Sequence, residues 1–309
     1  MAAPQPAVLK ITLAIPAKTG IEDYQSLYCD ISQCCSVLNR RFYRQGVSWA
    51  VDSFKLIAGP NTTGSLETNI LQTTWMMYNS WVKTYSAWQK QAHTAMKDGQ
   101  VQSTMAAHRD FKIFFDATHA DAGVVANLTP ADSVLQPYLL GDWDASQIVI
   151  PNDGGTPGNT IEYSLHMHGA DVAAPGGSKA MIQNYAESRA YPFSPDPDIE
   201  NPELTFFSEM VDVGQIQDEV IENATDRNND LPYTATEYPG GAVNAPLGQN
   251  LNGIVLNTQA TTNGHFLKGG IIPCGLLHFS HDLSQDTVLE INLVPGMERG
   301  YLTQPMGGA

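Results

Sequence analysis

Glycine and proline interrupt this 309-residue chain so often that few stretches could form a helix; 26 glycines and 19 prolines make up about one residue in seven. Between them the apolar residues mostly alternate. From Val8 to Ile15, Leu9, Ile11, Leu13 and Ile15 share one side, opposite Lys10, Thr12 and Ala14, until Pro16 stops the run. Trp49 to Ile57 reads as a second strand, Trp49, Val51, Ser53 and Lys55 facing away from Ala50, Asp52, Phe54 and Leu56, before the turn Gly59-Pro60-Asn61. Further strand-like runs are Phe111 to Phe115, Ile148 to Ile150, Ile161 to Met167, Leu204 to Val213, Gly275 to Phe279 and Val288 to Leu293.

One segment breaks the pattern. From about Asn69 to Lys97, Leu71, Trp75, Tyr78, Val82 and Tyr85 fall at steps of four, three, four and three, which predicts a long helix ended by Asp98-Gly99. Long loops are expected at Asn152 to Asn159 and across the Pro- and Gly-rich stretch Gly169 to Pro202. Roughly eight to ten strands, one dominant helix and no linker predict an all-β fold. It is read as a single antiparallel jelly-roll sandwich spanning residues 1–309, with the helix at about 69–97 inserted and long loops around it.

Charge narrows the function. The chain holds 16 basic and 32 acidic residues, a net −16, against a constitutive nucleic-acid-binding enzyme. The distribution is uneven: residues 1–112 carry 11 bases and 7 acids, whereas residues 113–309 carry 5 bases and 25 acids. From Asp196 to Glu237 twelve acids face only Arg227, the pattern of a solvated outer surface, with divalent-ion ligation by Asp196, Asp198 and Glu200 as the lesser reading. No long uninterrupted apolar stretch exists and the N-terminus lacks a signal-like pattern, so neither membrane insertion nor secretion is expected. Cys29, Cys34, Cys35 and Cys274 show no C-x-x-C spacing and read as reduced thiols of an intracellular protein.

No P-loop, nucleophile elbow, H-E-x-x-H or dinucleotide-binding glycine pattern is present, and no catalytic residue is assigned. His166-Met167-His168 places two imidazoles on one face of a strand, as a metal requires. Pro273-x-Gly275-x-x-His278, with His281 and Asp282, resembles half of a cupin motif. Val172 and Ala173 stand where that motif wants its glutamate, and 110 residues separate His168 from His278. No metal ligand is therefore assigned, nor any cofactor beyond a structural divalent cation at the acidic loop. The dense basic cluster is Arg40, Arg41, Phe42, Tyr43 and Arg44; guanidinium groups reach phosphates and aromatic faces stack on unpaired bases, which suits single-stranded nucleic acid.

Leu38 to Gly46, Trp49 to Lys55, Thr74 to Lys83, Trp88 to Gln91 and Arg109 to Asp116 resemble the capsid proteins of circular Rep-encoding single-stranded DNA viruses. Pro273 to Leu277, Leu293 to Gly296, Arg299 to Leu302 and Pro305-Met306 are similar to the end of the same proteins. The resemblance covers the first 120 residues and the last 40. It implies a jelly-roll coat protein whose partners are itself, in a shell of roughly sixty copies, the single-stranded DNA genome and a host receptor. It also implies residence in the virion after assembly inside the host cell. The first 39 residues hold only Lys10 and Lys18, so the Arg-rich arm common in such proteins is missing. The alternative is a metal-dependent cupin-like jelly-roll enzyme using His166, His168 and His278.

Overall fold

The computed structural model describes residues 6–99, 110–141, 143–151, 159–173, 176–188, 238–243, 245, 249–257 and 264–308. The acidic run 196–237, with Asp196, Asp198 and Glu200, and the expected strand Leu204 to Val213 lie outside the described residues. The chain runs β1 (Lys10–Ile15), β2 (Gln25–Asp30), α1 (Ile31–Asn39), β3 (Val47–Ile57), β4 (Gly64–Leu71), α2 (Trp75–Asp98) and α3 (Ala117–Ala122). It continues through β5 (Gln147–Pro151), β6 (Thr160–His166), β7 (Ser178–Ala180), α4 (Met181–Glu187), β8 (Gln249–Asn257), β9 (His265–Ile272) and β10 (Leu276–His281). β11 (Thr287–Leu293), β12 (Pro295–Gly296), β13 (Gly300–Tyr301) and β14 (Thr303–Pro305) close it.

Two antiparallel sheets form a sandwich. In the first, β11 lies between β1 and β3, β9 lines the other edge of β3, and β14 pairs with the start of β3. In the second the order is β2, β10, β4, β8. The core between them takes Ile11, Leu13 and Ile15 from β1, Leu289 and Ile291 from β11, and Leu277 and Phe279 from β10, all fully buried. On the outer face of the first sheet, Glu290 accepts Lys10 at 2.8 Å and pairs with Lys55 at 3.7 Å, a cross-strand ladder of opposite charges.

β3 departs from simple alternation for a local reason. Asn292 stands opposite Ser53 but Leu293 opposite Val51, so Asp52 is an extra residue and the strand bulges there. Before the bulge Trp49 and Val51 point into the core; after it Phe54 and Leu56 do. Both of the sets expected on opposite faces thus contribute to one core.

The second sheet is covered on its outer side as well. Tyr28 from β2, Leu71 from β4 and Leu276 from β10 join Met76, Met77, Tyr78 and Trp81 of α2, together with Phe115, Met167 and Met181, in a second buried cluster. The helix begins later than expected, because Asn69 to Leu71 belong to β4, where Asn69 pairs with His278 and Leu71 with Gln249. The Thr74 side chain caps α2 by accepting from the Met77 amide, and the Gly99 amide closes its end on Ala95 and Lys97 carbonyls. Its packed stripe is also rotated: Tyr78, Trp81, Tyr85 and Trp88 line the contact, with Trp81 stacked on Tyr85 at 4.9 Å, while Trp75 and Val82 are exposed. Phe111 to Phe115 is extended but does not form a strand; a single bridge ties Phe114 to His166. No helix among the described residues is long and apolar enough to cross a membrane.

Candidate functional site

The Arg40 to Arg44 cluster sits on the connection between α1 and β3, and one buried carboxylate builds that connection. Asp30, at the end of β2, caps α1 by accepting from the Ser32 and Gln33 amides at 2.8 and 3.3 Å. Its second oxygen accepts from Gln45 Nε2 and Trp143 Nε1, both at 3.1 Å. Gln45 in turn exchanges two hydrogen bonds with the Ile113 backbone, at 3.0 and 2.7 Å. Complete burial pushes the Asp30 carboxyl up to about 6, against the pull of the four donors.

Within the loop the side chains diverge. Arg40, Arg41, Phe42 and Arg44 are exposed, but Tyr43 is buried. Its ring packs against Trp49 and Tyr301, and its hydroxyl donates to the Arg299 carbonyl at 3.3 Å. Phe42 is the ring of this loop that faces solvent, 43% exposed. Trp143 lies beside it at 5.9 Å, and the Lys112 ammonium sits over both rings, at 5.6 Å from Phe42 and 4.5 Å from Trp143.

Phe42 separates two cavities. One, of about 290 Å³, is lined by Arg40, Arg41 and Trp143; the other, of about 370 Å³, by Tyr43, Arg44, Glu298, Arg299 and Thr303. The ion pairs among the described residues are Lys10–Glu290, Lys55–Glu290, Lys112–Asp110 and Lys179–Asp171, so no described carboxylate neutralises Arg40, Arg41, Arg44 or Arg299. An anion approaching Phe42 from either side therefore meets guanidinium groups that have no ion-pair partner among the described residues. Sequence reading missed Arg299 at this site because it lies 255 residues from Arg44. The available clue was the turn pair Arg299-Gly300 between alternating residues.

Five histidines lie apart from this surface, His119, His166, His168 and His281 buried and His278 half-buried. Tyr28 is sandwiched between His119, 4.1 Å away and nearly parallel, and His278, 4.9 Å away, and its hydroxyl donates to Asp116 at 2.9 Å. His168 meets Phe115 edge-on at 5.0 Å. His119 accepts the Phe115 amide and bonds Asn127, and His166 bonds the Ala170 carbonyl. Both nitrogens of His168, His278 and His281 lack a hydrogen-bond partner among the described residues. Burial lowers the affinity for protons of all five, taking His119 and His168 down to about 4, although Asp116 opposes this in His119, His166, His168 and His278. Among the described residues no three His, Cys, Asp or Glu side chains are grouped to hold a metal ion.

The four cysteines are free and buried, with Cys29 and Cys34 sulfurs 3.7 Å apart. No family model matches the chain, and no curated protein or solved structure matches it.

Proposed function

We propose that this chain is a viral coat protein whose activity is self-assembly into a small closed shell around a single-stranded DNA genome. The observation that carries this reading is the strand order. Along the eight long strands of the sandwich the chain changes sheet at every step except from β4 to β8, giving β1-β11-β3-β9 against β2-β10-β4-β8, an order that supports the jelly-roll reading. The connection between β4 and β8 carries α2 as its long inserted helix. Such a sandwich assembles through repeated contacts between unlike edges, and association gains from covering apolar side chains. Ile21, Leu139 and Met297, each 89% exposed or more in the single chain, are suited to such contacts. Arg40, Arg41, Phe42 and Arg44 form the surface turned toward the nucleic acid: phosphates to the guanidinium groups, a base to Phe42.

Electron microscopy of the purified full-length protein tests the reading. Uniform hollow or filled particles are expected; a chain that remains monomeric under every ionic condition while holding one transition metal and turning over a small molecule would overturn it in favour of the enzyme. Replacing Arg40, Arg41 and Arg44 by Gln should leave particles intact and lower their DNA content. Undiminished DNA in those particles removes the assigned surface.

A further inference from the structure

Two arginines beside Phe42 occupy backbone that an ordinary side chain avoids. Arg40 ends α1 with φ 50°, where glycine is the usual residue. Arg299 has φ 50° and Gly300 φ 103°, and the Glu298 and Tyr301 backbones exchange both hydrogen bonds across them at 3.0 Å. This is a tight hairpin turn whose first central position favours asparagine or glycine. The two strained residues come from opposite ends of the chain, yet each lines one of the cavities flanking Phe42. Strained backbone clusters at ligand clamps and switch regions, and two of the five described non-glycine residues with positive φ are arginines lining these two cavities.

Resting on the coat-protein reading, we propose that Arg299 is a fourth nucleic-acid-binding arginine and that the 370 Å³ cavity takes one nucleotide of the single strand, its phosphate held between Arg44 and Arg299. The volume falls in the range of small-ligand sites. Arg299 Nη1 donates to the Phe42 carbonyl at 2.7 Å, which fixes the guanidinium beside the exposed ring. Its remaining N–H groups have no carboxylate partner among the described residues. Glu298 lines the same cavity and repels a phosphate, which confines the phosphate to the arginine side and leaves the base to lie toward Phe42.

The test is salt-dependent binding of a fluorescent thymidine oligonucleotide to the full chain, with thermal unfolding followed in parallel. Arg299→Gly relieves the left-handed strain while removing the charge, so its melting temperature should stay within a few degrees of the parent. The slope of log affinity against log salt should fall by about 0.7, one phosphate contact on a single strand. Arg299→Lys should restore the slope, and Glu298→Gln should tighten binding. An unchanged slope in Arg299→Gly overturns the assignment even if particles form. A parent chain with no salt-dependent binding overturns it together with the genome-facing surface, whereas loss of particles with the slope change intact affects the shell alone.

Discussion

Acid should loosen this fold well above the pH at which most carboxylates protonate. His119 and His168 have proton affinities lowered from 6.5 to about 4 by burial. In the unfolded chain each takes up a proton as pH drops through 6.5, whereas in the folded chain neither does until about 4. Stability is therefore full above pH 6.5 and declines below it, by about 3 kcal/mol for each group when pH 4 is reached. Asp30 opposes the trend. Its carboxyl is raised from 3.8 to about 6, so the folded chain takes up a proton first, and acidification over that interval returns about 3 kcal/mol. Two histidines outweigh one carboxylate, leaving a net loss of about 3 kcal/mol between pH 6.5 and 4, a large share of a typical 5–15 kcal/mol. His166, His278 and His281, shifted in the same direction, add to it. Urea midpoints of unassembled subunits at half-unit pH intervals measure the slope. His168→Phe removes one titrating group and two orphaned nitrogens beside Phe115, so it should flatten the acid limb by about 3 kcal/mol at pH 4. A midpoint that is level from pH 7 to 4, or an acid limb that His168→Phe leaves untouched, would refute the reasoning.

Three further outcomes follow from the packing. Gly275 has φ +70° and an added Cβ would lie 2.8 Å from the Trp49 ring, so Gly275→Ala should cost about 2 kcal/mol or more in denaturant unfolding; a parental midpoint contradicts this. Asp30→Ala strips the acceptor from four donors and should destabilise by about 3 kcal/mol or more, with loss of order around Trp143 visible in its fluorescence; an unchanged emission maximum counts against the role given to Asp30. The hydrogen bond with Cys29, with burial, raises the Cys34 thiol, burial raises those of Cys35 and Cys274, and all four cysteines are buried, so a thiol reagent at pH 8 should label none quickly before urea exposes them. A rapidly reacting thiol in the folded chain would show that part of this core is open.

Much of the sandwich was legible because its strands obey a period of two. β1 and β11 alternate without interruption, and Leu13 faces Leu289, which faces Leu56. The losses came where tertiary pairing displaces a local rule. The helix expected from about Asn69 begins inside a strand: Asn69 and Ile70 pair with both β10 and β8 and Leu71 with β8, and those ladders outweigh the propensity. In β3 the bulge at Asp52 puts residues of both parities into one core, a shift that only the partner strands reveal. The basic cluster was readable as a contiguous run, whereas the inward turn of Tyr43 depends on Trp49 and on Tyr301, 258 residues away.

The same distance explains why the candidate surface is well held despite lying on a loop. Asp30 fastens the end of β2, the start of α1, the loop through Gln45, and Trp143, and Gln45 passes the connection to Ile113. A buried carboxylate is costly near neutral pH, so a neutral residue that merely packed would make a more stable junction. What it would not do is offer two acceptor oxygens to four donors from separate segments. With the root of the loop fixed in this way and Arg299 bonded to the Phe42 carbonyl at its tip, the exposed ring and its flanking guanidinium groups are ordered before a ligand arrives. Less conformational entropy is then lost on binding, and a surface this small can contribute more affinity than its area alone implies.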